Sequence, residues 1–448
     1  MESRIDNVKR FVSQHHYLSV LVFVVLVKAL FWAWSFAVCH WVPLAPKDYF
    51  SGGHHLNIDP RITEGRIDPL TIWIYADAEW YLSIAEHGYP GIDGMKKAAE
   101  DRAARRGYPY NFVPGDPNAE YCRYTEWDAD MKYAFFPLYP MSIALFHLAF
   151  PLHAAAFLVT QLISASAFVA LYALVLTYFG DKALAFRSLV LLVVFPFSVF
   201  YQAYFSEGLF LLLSVLSFYL LKRGRMDLSI LCGSLLMLAR PTGAAIAIPL
   251  AILAAKRSAP AQTRADKRAE KLGRRRRSGL SAIDWRRGVT PFLTLLGLLP
   301  LFAYDYFKTG HWNGFALAQR RWGYASQDFL RNILENIFVT GSRFFSLKLF
   351  GEHHCQVDYV VMILSLLLLA LSYRKLPLEL WSFAFLLWLI PVGVKDLMSF
   401  SRYISVAFPL FLYLAGIRRR YAFWALAALF LAGSLYIDGR MVTWHWVG

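Results

Sequence analysis

The apolar stretch YLSVLVFVVLVKALFWAWSFAVC, residues 17–39, decides the class of fold. At about 23 residues, it is long enough for one α-helix to cross the ~30 Å hydrocarbon core of a bilayer. Lys9 and Arg10 precede the stretch, and no cleavage site of small residues follows it. These features predict a retained first transmembrane helix whose N-terminus lies in the cytoplasm.

The composition of the whole chain also indicates a membrane protein. Hydrophobic residues make up 57% of the 448 residues and charged residues only 17%, whereas a soluble domain carries about 25% charged residues. A membrane protein tolerates this balance because lipid solvates its outer apolar side chains. The net charge of +15 lies mainly in short basic stretches between apolar runs, which fits membrane orientation and argues against nucleic acid as a partner.

Further apolar runs predict an all-α polytopic membrane protein, a bundle of ten to twelve transmembrane helices forming a single domain over residues 1–448. The most basic stretch, residues 256–287, is predicted to be a cytoplasmic loop. The further runs lie near residues 134–150, 153–179, 187–204, 206–221, 228–255, 288–308, 357–373, 377–394, 404–417 and 421–437.

The long polar stretch at residues 40–133 is predicted to be a loop on the outer side of the membrane. A structureless loop of that length is unusual unless it carries function. Within it, residues 92–106 have helical composition and a basic face, which fits either a helix on the membrane surface or a solvated helix. Alternation of the later spans also places residues 309–356 and 395–403 on the outer side.

The topology of the first half leaves two arrangements open. If residues 206–221 run inward, residues 228–255 must enter the bilayer and return, with a break at Arg240-Pro241-Thr242-Gly243. Proline and glycine break helices, and irregular backbone at membrane depth is tolerated where it lines a cavity. Simple alternation would instead place the basic residues at 222–225 outside.

Two neighbouring strings in the outer loop carry the first candidate site. In residues 75–89, YADAEWYLSIAEHGY, apolar residues recur at helical spacing, which predicts a short helix against the membrane with Asp77 as its N-cap. Capping would be an ordinary structural role for this aspartate, and Glu86 and His87 are equally well explained as surface polar residues. Residues 133–140, YAFFPLYP, have the composition of an interfacial aromatic anchor.

Three charged residues lie beside or within apolar runs. Arg240 is surrounded by hydrophobic residues in LARPTG, and an arginine at the centre of a membrane costs about 3 kcal/mol on insertion scales, so it is a functional candidate. The alternative is snorkelling or pairing with a structural carboxylate. Arg402 in SFSRY raises the same question near the outer interface, and Glu207 lies at the edge of another apolar run.

These strings resemble the GPI mannosyltransferase 2 (PIG-V) family, which adds the second mannose to glycosylphosphatidylinositol anchors, and its bacterial relatives. DAEWYLSIAEHGY followed by YAFFPLYP is similar to the family's W-D-A-E-H-F start, I-A-E-H-G-Y core and A-F-F-P motif. FSEGLF resembles its Y-S-E-A-L-F element and ARPTG its R-S-N-G element. Gln319 and Trp322 resemble a Q-x-x-x-W element with a gap one residue shorter. The strong motifs cover about residues 73–243.

The chain departs from the family pattern in two places. Ala76 stands where the family has a tryptophan, and about forty extra residues, 90–132, separate IAEHGY from AFFP. The core chemistry tolerates both departures, but they leave the acceptor open.

The resemblance implies a GT-C-type bundle and an inverting glycosyltransferase, most simply a mannosyltransferase, that uses a polyprenyl-phosphate sugar donor at the outer membrane face. It implies Asp77 as the base for the acceptor hydroxyl. A phosphate leaving group gains charge as its bond breaks, and buried arginines stabilise that charge, so Arg240 and Arg402 are the candidates for this role. The remaining substrate-binding candidates are Glu79, His87, Glu207, Gln319 and Trp322, with Arg320 and Arg321 as secondary phosphate ligands and Trp80, Tyr81 and Trp322 as stacking surfaces for sugar.

The expected partners are the polyprenyl-phosphate sugar donor, a lipid or glycan acceptor and membrane lipids. No cofactor is required, since the P-loop and dinucleotide signatures are absent. A divalent metal is left open at His54, His55, residues 352–354 and Asp77, although adjacent loop histidines are more often merely polar. A disulfide between Cys122 and Cys355, both expected outside, is also left open.

Two other classes of protein compete with the enzyme. A transporter or flippase of lipid-linked sugars would carry charged residues throughout its spans and an internal repeat, and no repeat is found. A non-catalytic membrane scaffold would not need the motifs. The compact length favours a bacterial plasma membrane over the endoplasmic reticulum.

Overall fold

The computed structural model describes residues 15–45, 56, 58–91, 131–256, 285–321, 328–351, 354–393 and 397–447. Over these residues the chain is helical and contains no β-strand. The helix expected at 92–106 and nearly all of the basic loop at 256–287 lie outside the described residues.

The helices fall into two sets along the chain. The first set comprises α1 (His16–Trp41), α2 (Pro60–Thr63), α3 (Asp77–His87), α4 (Leu138–His147), α5 (Leu152–Phe179), α6 (Lys182–Val193), α7 (Glu207–Lys222), α8 (Met226–Met237) and α9 (Ala247–Ala255). The second comprises α10 (Trp285–Val289), α11 (Leu299–Thr309), α12 (Gly314–Arg321), α13 (Phe329–Leu334), α14 (Thr340–Ser342), α15 (Gln356–Ser372), α16 (Leu378–Val392), α17 (Phe400–Ser405), α18 (Phe408–Ala415) and α19 (Arg420–Val442). Turns of 3₁₀ helix cover Lys132–Ala134, Ser198–Tyr201, Pro241–Ile246, Thr290–Leu298 and Phe344–Ser346, and a π-helical turn covers Glu335–Val339.

Four helical stretches among the described residues are long and apolar enough to cross a membrane. They are α1, α5, residues 286–309 and α19, and they coincide with the runs expected near 17–39, 153–179, 288–308 and 421–437. The remaining runs fold into helices of 8 to 17 residues separated by turns. The described part of the chain therefore does not reach the expected ten to twelve helices of spanning length.

Helix α7 lies inside the bundle, packed against both α5 and α8. Its Phe210 and Phe218 are fully buried. At its first turn the backbone of α7 approaches α5 closely, because a Cβ added at Gly208 would lie only 3.1 Å from the Cβ of Ser164. This packing carries Glu207, the first residue of α7, into the interior.

The break between residues 228 and 255, which one of the two topologies requires, is present as the 3₁₀ turn that separates α8 from α9. A Cβ on Gly243 would lie 2.5 Å from the carbonyl oxygen of Leu236, and a Cβ on Gly233 would lie 3.7 Å from Ile246. The later residue of the turn, Ile246, lies near the earlier residue of α8, Gly233, so the two pieces of chain are antiparallel. The 3₁₀ turn therefore folds back beside α8. Arg240 lies at the tip of this hairpin.

A buried ion pair within the polar segment before α3 is hydrogen-bonded to the C-terminal end of α19. The Nη2 of Arg61 lies 2.6 Å from Oδ2 of Asp59, and the Nε1 of Trp444 donates to the same oxygen at 2.7 Å. Arg61 also donates to the carbonyl oxygen of Val442. These bonds hold the polar segment that precedes α3 against the C-terminal end of α19.

We expect Gly243→Ala to lower the thermal stability of the protein, measured by circular dichroism in detergent. The new Cβ would collide with backbone atoms of Leu236, which cannot rotate away, and overpacking of this kind costs about 1–3 kcal/mol. Gly351→Ala is the matched control, since its nearest neighbours would lie 3.9 Å away. Equal melting temperatures for the two variants would contradict the close backbone approach in the hairpin.

Candidate functional site

Arg402, on the short helix α17, bridges two carboxylates that come from distant parts of the chain. Its Nη1 lies 2.6 Å from Oδ2 of Asp77, at the start of α3. Its Nε donates to Oε1 of Glu207, at the start of α7. Guanidinium groups bind carboxylates with geometry and strength that lysine does not match. The bridge therefore fixes three helices at one point.

A second guanidinium completes the cluster. The Nη1 of Arg240 lies 2.5 Å from the same Oε1 of Glu207. The side chain of Glu207 is fully buried and that of Arg240 is 7% exposed. The other oxygen of Glu207, Oε2, is buried and has no hydrogen-bond partner among the described residues. With Asp77 and Arg402, the four residues form what we call the charge cluster, which holds two positive and two negative groups.

Asp77 is the most exposed member of the charge cluster, at 29% of its side chain. It is the first residue of α3, and Ala76 occupies the N-cap position without a side-chain hydrogen bond. The expectation that Asp77 caps the helix is therefore wrong, because its carboxylate binds Arg402 instead. The positive end of the α3 dipole still favours an anion at this position.

The backbone that leads into α3 is strained at Ala76, whose φ is +44°. Non-glycine residues in such regions cost about 1–3 kcal/mol each and persist only when the surrounding structure holds them. Here the ion pair of Asp77 and the buried neighbours that follow it supply that constraint.

Aromatic rings surround both guanidinium groups. The centre of the Arg402 guanidinium lies 4.5 Å from the ring centroid of Phe205 and 5.2 Å from that of Phe200. Burial opposes the charge of Arg402, but Glu207 and Asp77 outweigh it and raise the pKa of this group well above its usual range. The Arg240 guanidinium lies 5.0 Å from the ring centroid of Tyr403. Both guanidinium groups therefore lie against aromatic rings in apolar surroundings, where electrostatic interactions are stronger than in water.

Tyr81 contributes a neutral hydroxyl beside the charge cluster. Its oxygen lies 3.1 Å from Oγ of Ser206, and burial raises the pKa of Tyr81 to about 12. Its ring packs edge to face on Tyr139, and the buried ring of Trp80 stacks on Phe135. Trp80 is 2% exposed and Tyr81 is 4% exposed, so neither ring presents an open face on which a sugar could stack.

The structure brings Asp77, Glu207, Arg240 and Arg402 together, whereas Glu79 and His87 have other surroundings. Glu79 is buried, and its carboxylate accepts the backbone N–H groups of Leu56 and Ile58 at 3.0 and 2.9 Å, which is a structural role. His87 is exposed at the far end of α3, about 15 Å along the helix from Asp77.

Some candidates lie on or beyond the edge of the described residues. Gln319 is half-buried on α12, which packs beside the 3₁₀ turn Lys132–Ala134. The side chains of Arg320 and Arg321, and all of Trp322, lie outside the part of the chain that the structure describes. The same is true of His54, His55, Glu352 and His353.

Neither a metal centre nor a disulfide forms among the described residues. No group of three histidine, cysteine or acidic side chains there is placed to hold a metal ion. Cys355 is a free, buried thiol that contacts Asp358 at 3.4 Å and caps α15, while Cys122 is outside the described residues.

Lys28, in the middle of α1, supports the site and was not anticipated from the sequence. Its buried Nζ donates to Oγ of Ser164 at 2.9 Å, to the carbonyl oxygen of Tyr201 at 3.1 Å and to Oε1 of Gln202 at 2.9 Å. The hydroxyl of Tyr201 in turn donates to the backbone of α17 at Ser405. A lone lysine inside an apolar run was the available signal, since such charges are costly.

Comparison with protein-family models, curated proteins and solved structures yields no significant match to this chain. Its function has to be inferred from the chemistry of the charge cluster.

We expect Glu207→Gln to destabilise the protein by about 3–5 kcal/mol, because it leaves two buried guanidinium groups with one carboxylate between them. The measurement is thermal unfolding of the purified protein in detergent. Glu86→Gln, which neutralises an exposed carboxylate on α3, serves as the control and should melt like the unmodified protein. Unchanged melting of Glu207→Gln would show that Glu207 does not balance the two arginines.

Proposed function

We propose that the chain is an inverting, GT-C-type glycosyltransferase of the membrane, related to the GPI mannosyltransferase 2 family, that transfers a sugar, most simply mannose, from a polyprenyl-phosphate donor. The observation that carries this proposal is the charge cluster, in which Arg402 joins the partly exposed Asp77 to the buried Glu207, which also binds Arg240. Three of the four residues, Asp77, Glu207 and Arg240, lie in separate motifs of the family resemblance, and Arg402 was singled out by its charge near the outer interface. A transfer of this kind needs their combination of a base and phosphate-stabilising cations.

The chemistry requires a base for the incoming hydroxyl. The acceptor oxygen attacks the anomeric carbon as the bond from that carbon to the phosphate oxygen breaks, and the hydroxyl proton moves to a carboxylate. Asp77 suits this role because it is the most accessible acid of the cluster and stands at a helix N-terminus. Glu207 suits a positioning role, because its buried carboxylate holds the guanidinium groups of Arg240 and Arg402 side by side.

Charge moves through the cluster in step with the reaction. The donor phosphate carries one negative charge as a diester and gains a second as it leaves. When Asp77 takes the proton, its hold on Arg402 weakens and the cluster, neutral at rest, becomes net positive. The freed guanidinium charge of Arg402, with Arg240, then stabilises the leaving phosphate more than the bound substrate, which is the condition for catalysis.

A transporter or flippase of lipid-linked sugars is the second candidate. It is favoured by Lys28 and Asp438, which are buried within α1 and α19, since charges at membrane depth often mark transport paths. Both have local partners, however, including the 2.6 Å bond from Ser35 to Asp438. Transport predicts that a labelled lipid-linked sugar crosses the vesicle membrane without loss of its sugar.

We expect Asp77→Asn to abolish sugar transfer while the protein remains folded, because an amide cannot accept the acceptor's proton. The measurement is transfer of radiolabelled mannose from polyprenyl-phosphate mannose to extracted lipid and glycan acceptors by purified protein in vesicles. Removal of a general base costs about 10²–10⁴-fold in rate. Glu86→Gln is the matched control on the same helix and should transfer normally. Full activity of Asp77→Asn would remove its catalytic assignment.

The same assay tests Arg240. We expect Arg240→Lys to retain part of the turnover, since it keeps the positive charge, and Arg240→Ala to lose most of it. An alanine variant with unchanged donor affinity and rate would leave Arg240 a structural role only.

A further inference from the structure

Residues 329–346 form a helical segment with inverted polarity. Its outward face is apolar: Leu330 is 71% exposed, Phe338 66% and Phe345 96%, with Leu334 on the same side at 56%. Leu330, Leu334 and Phe338 follow one another at intervals of four residues, so they form one stripe along the helix. We call these four residues the outer stripe.

The inward face of the same segment is polar. Asn332, Asn336 and Thr340 recur at the same spacing and are buried. The amide of Asn332 donates to the carbonyl oxygen of Gly393 at 3.0 Å, and that of Asn336 donates to Val392 at 2.9 Å. These carbonyls belong to the C-terminal end of α16, where a helix lacks partners of its own.

Tyr359, on α15, also holds the segment. Its hydroxyl donates to the carbonyl oxygen of Ile337 at 3.0 Å, within the π-helical turn. A side chain at Gly341 would collide with the same hydroxyl. The segment is therefore held against the bundle by specific polar contacts. These contacts fix its orientation, so that the apolar stripe faces outward.

In water the favoured arrangement is the reverse, with the apolar stripe of a helix buried and its polar stripe exposed. An apolar outer surface over a polar inner surface is stable where lipid replaces water. The three helical pieces between Phe329 and Ser342 are together about 21 Å long, too short to cross the ~30 Å hydrocarbon core. A segment of this kind lies along one face of a bilayer.

Two further features indicate that lipid covers the outer stripe. Helix α15, to which Tyr359 belongs, exposes Val360, Leu364, Leu367 and Leu371 along its length, so an apolar surface continues beyond the segment. Arg331 and Glu335, one helical turn apart, form an exposed ion pair of 2.8 Å beside the stripe. A charged strip flanking an apolar one is the pattern of a helix at the level of lipid headgroups.

We infer that residues 329–346 form an interfacial membrane segment whose outer stripe contacts lipid acyl chains, although residues 309–356 were expected to lie in a loop outside the membrane. Through Asn332 and Asn336 the segment holds the end of α16, a few residues before α17 and Arg402. It thereby sets the depth of the charge cluster close to the headgroups. The inference does not depend on the proposed reaction.

The test is spin labelling in vesicles of phosphatidylcholine and phosphatidylglycerol. Cys39, Cys122 and Cys232 are replaced by serine, while Cys355, which is 1% exposed, stays. Labels are placed at Leu334→Cys and Phe338→Cys, with Arg331→Cys as the control on the charged strip. The measurement is relaxation of each label by molecular oxygen, which concentrates in lipid, and by a water-soluble nickel chelate.

We expect both stripe labels to be relaxed several-fold more by oxygen than by the nickel chelate, and the Arg331→Cys label to show the opposite preference. Stripe labels relaxed mainly by the chelate would place the segment in water and overturn the inference. Stripe labels protected from both reagents would show that protein covers the stripe, a second copy of the chain or another subunit, and would also overturn it. Two stripe positions are used so that one variant that fails to fold leaves the other to decide.

Discussion

The carboxylate of Glu207 is buried completely and accepts from two guanidinium groups. A lone ionised carboxylate in such surroundings would cost many kcal/mol. Burial of Glu207 therefore requires the two arginines as partners, and burial of the arginines requires Glu207. That mutual requirement joins the start of α7, the hairpin tip at Arg240 and helix α17, which lie far apart in sequence. Asp77 joins on the accessible side through Arg402. The geometry of the site therefore follows from the pairing of opposite charges in an interior that does not solvate them.

Much of this arrangement could be predicted from local sequence patterns. Four spanning helices follow from the length of apolar runs, and the break after α8 follows from the proline and glycine at residues 241 and 243. Arg240 and Arg402 were identified because arginine is conspicuous amid hydrophobic residues. In each case the physical cause acts within a few residues of the chain, so the feature can be predicted from the local sequence.

Other features depend on contacts that no local pattern encodes. The role of Asp77 as a ligand of Arg402 rather than a helix cap depends on a residue 325 positions away. Glu79 looked like part of the site, yet it holds the backbone at Leu56 and Ile58. The two faces of residues 329–346 leave no signal in an average hydropathy, and the polar face turns inward toward carbonyl groups at the end of α16, which is a long-range contact.

A buried charge cluster also contributes less to the free energy of unfolding than apolar packing would in its place. Well-packed apolar residues in place of a buried ion network are often neutral or stabilising by about 1–4 kcal/mol, and the strained Ala76 adds a cost beside it. Local rules of this kind are broken mainly at functional sites. A structural network would also have no reason to leave one carboxylate partly open to solvent and an oxygen of the other without a partner among the described residues. The stability of the bundle alone therefore does not account for the cluster, and these features are the ones that the proposed sugar transfer would require of it.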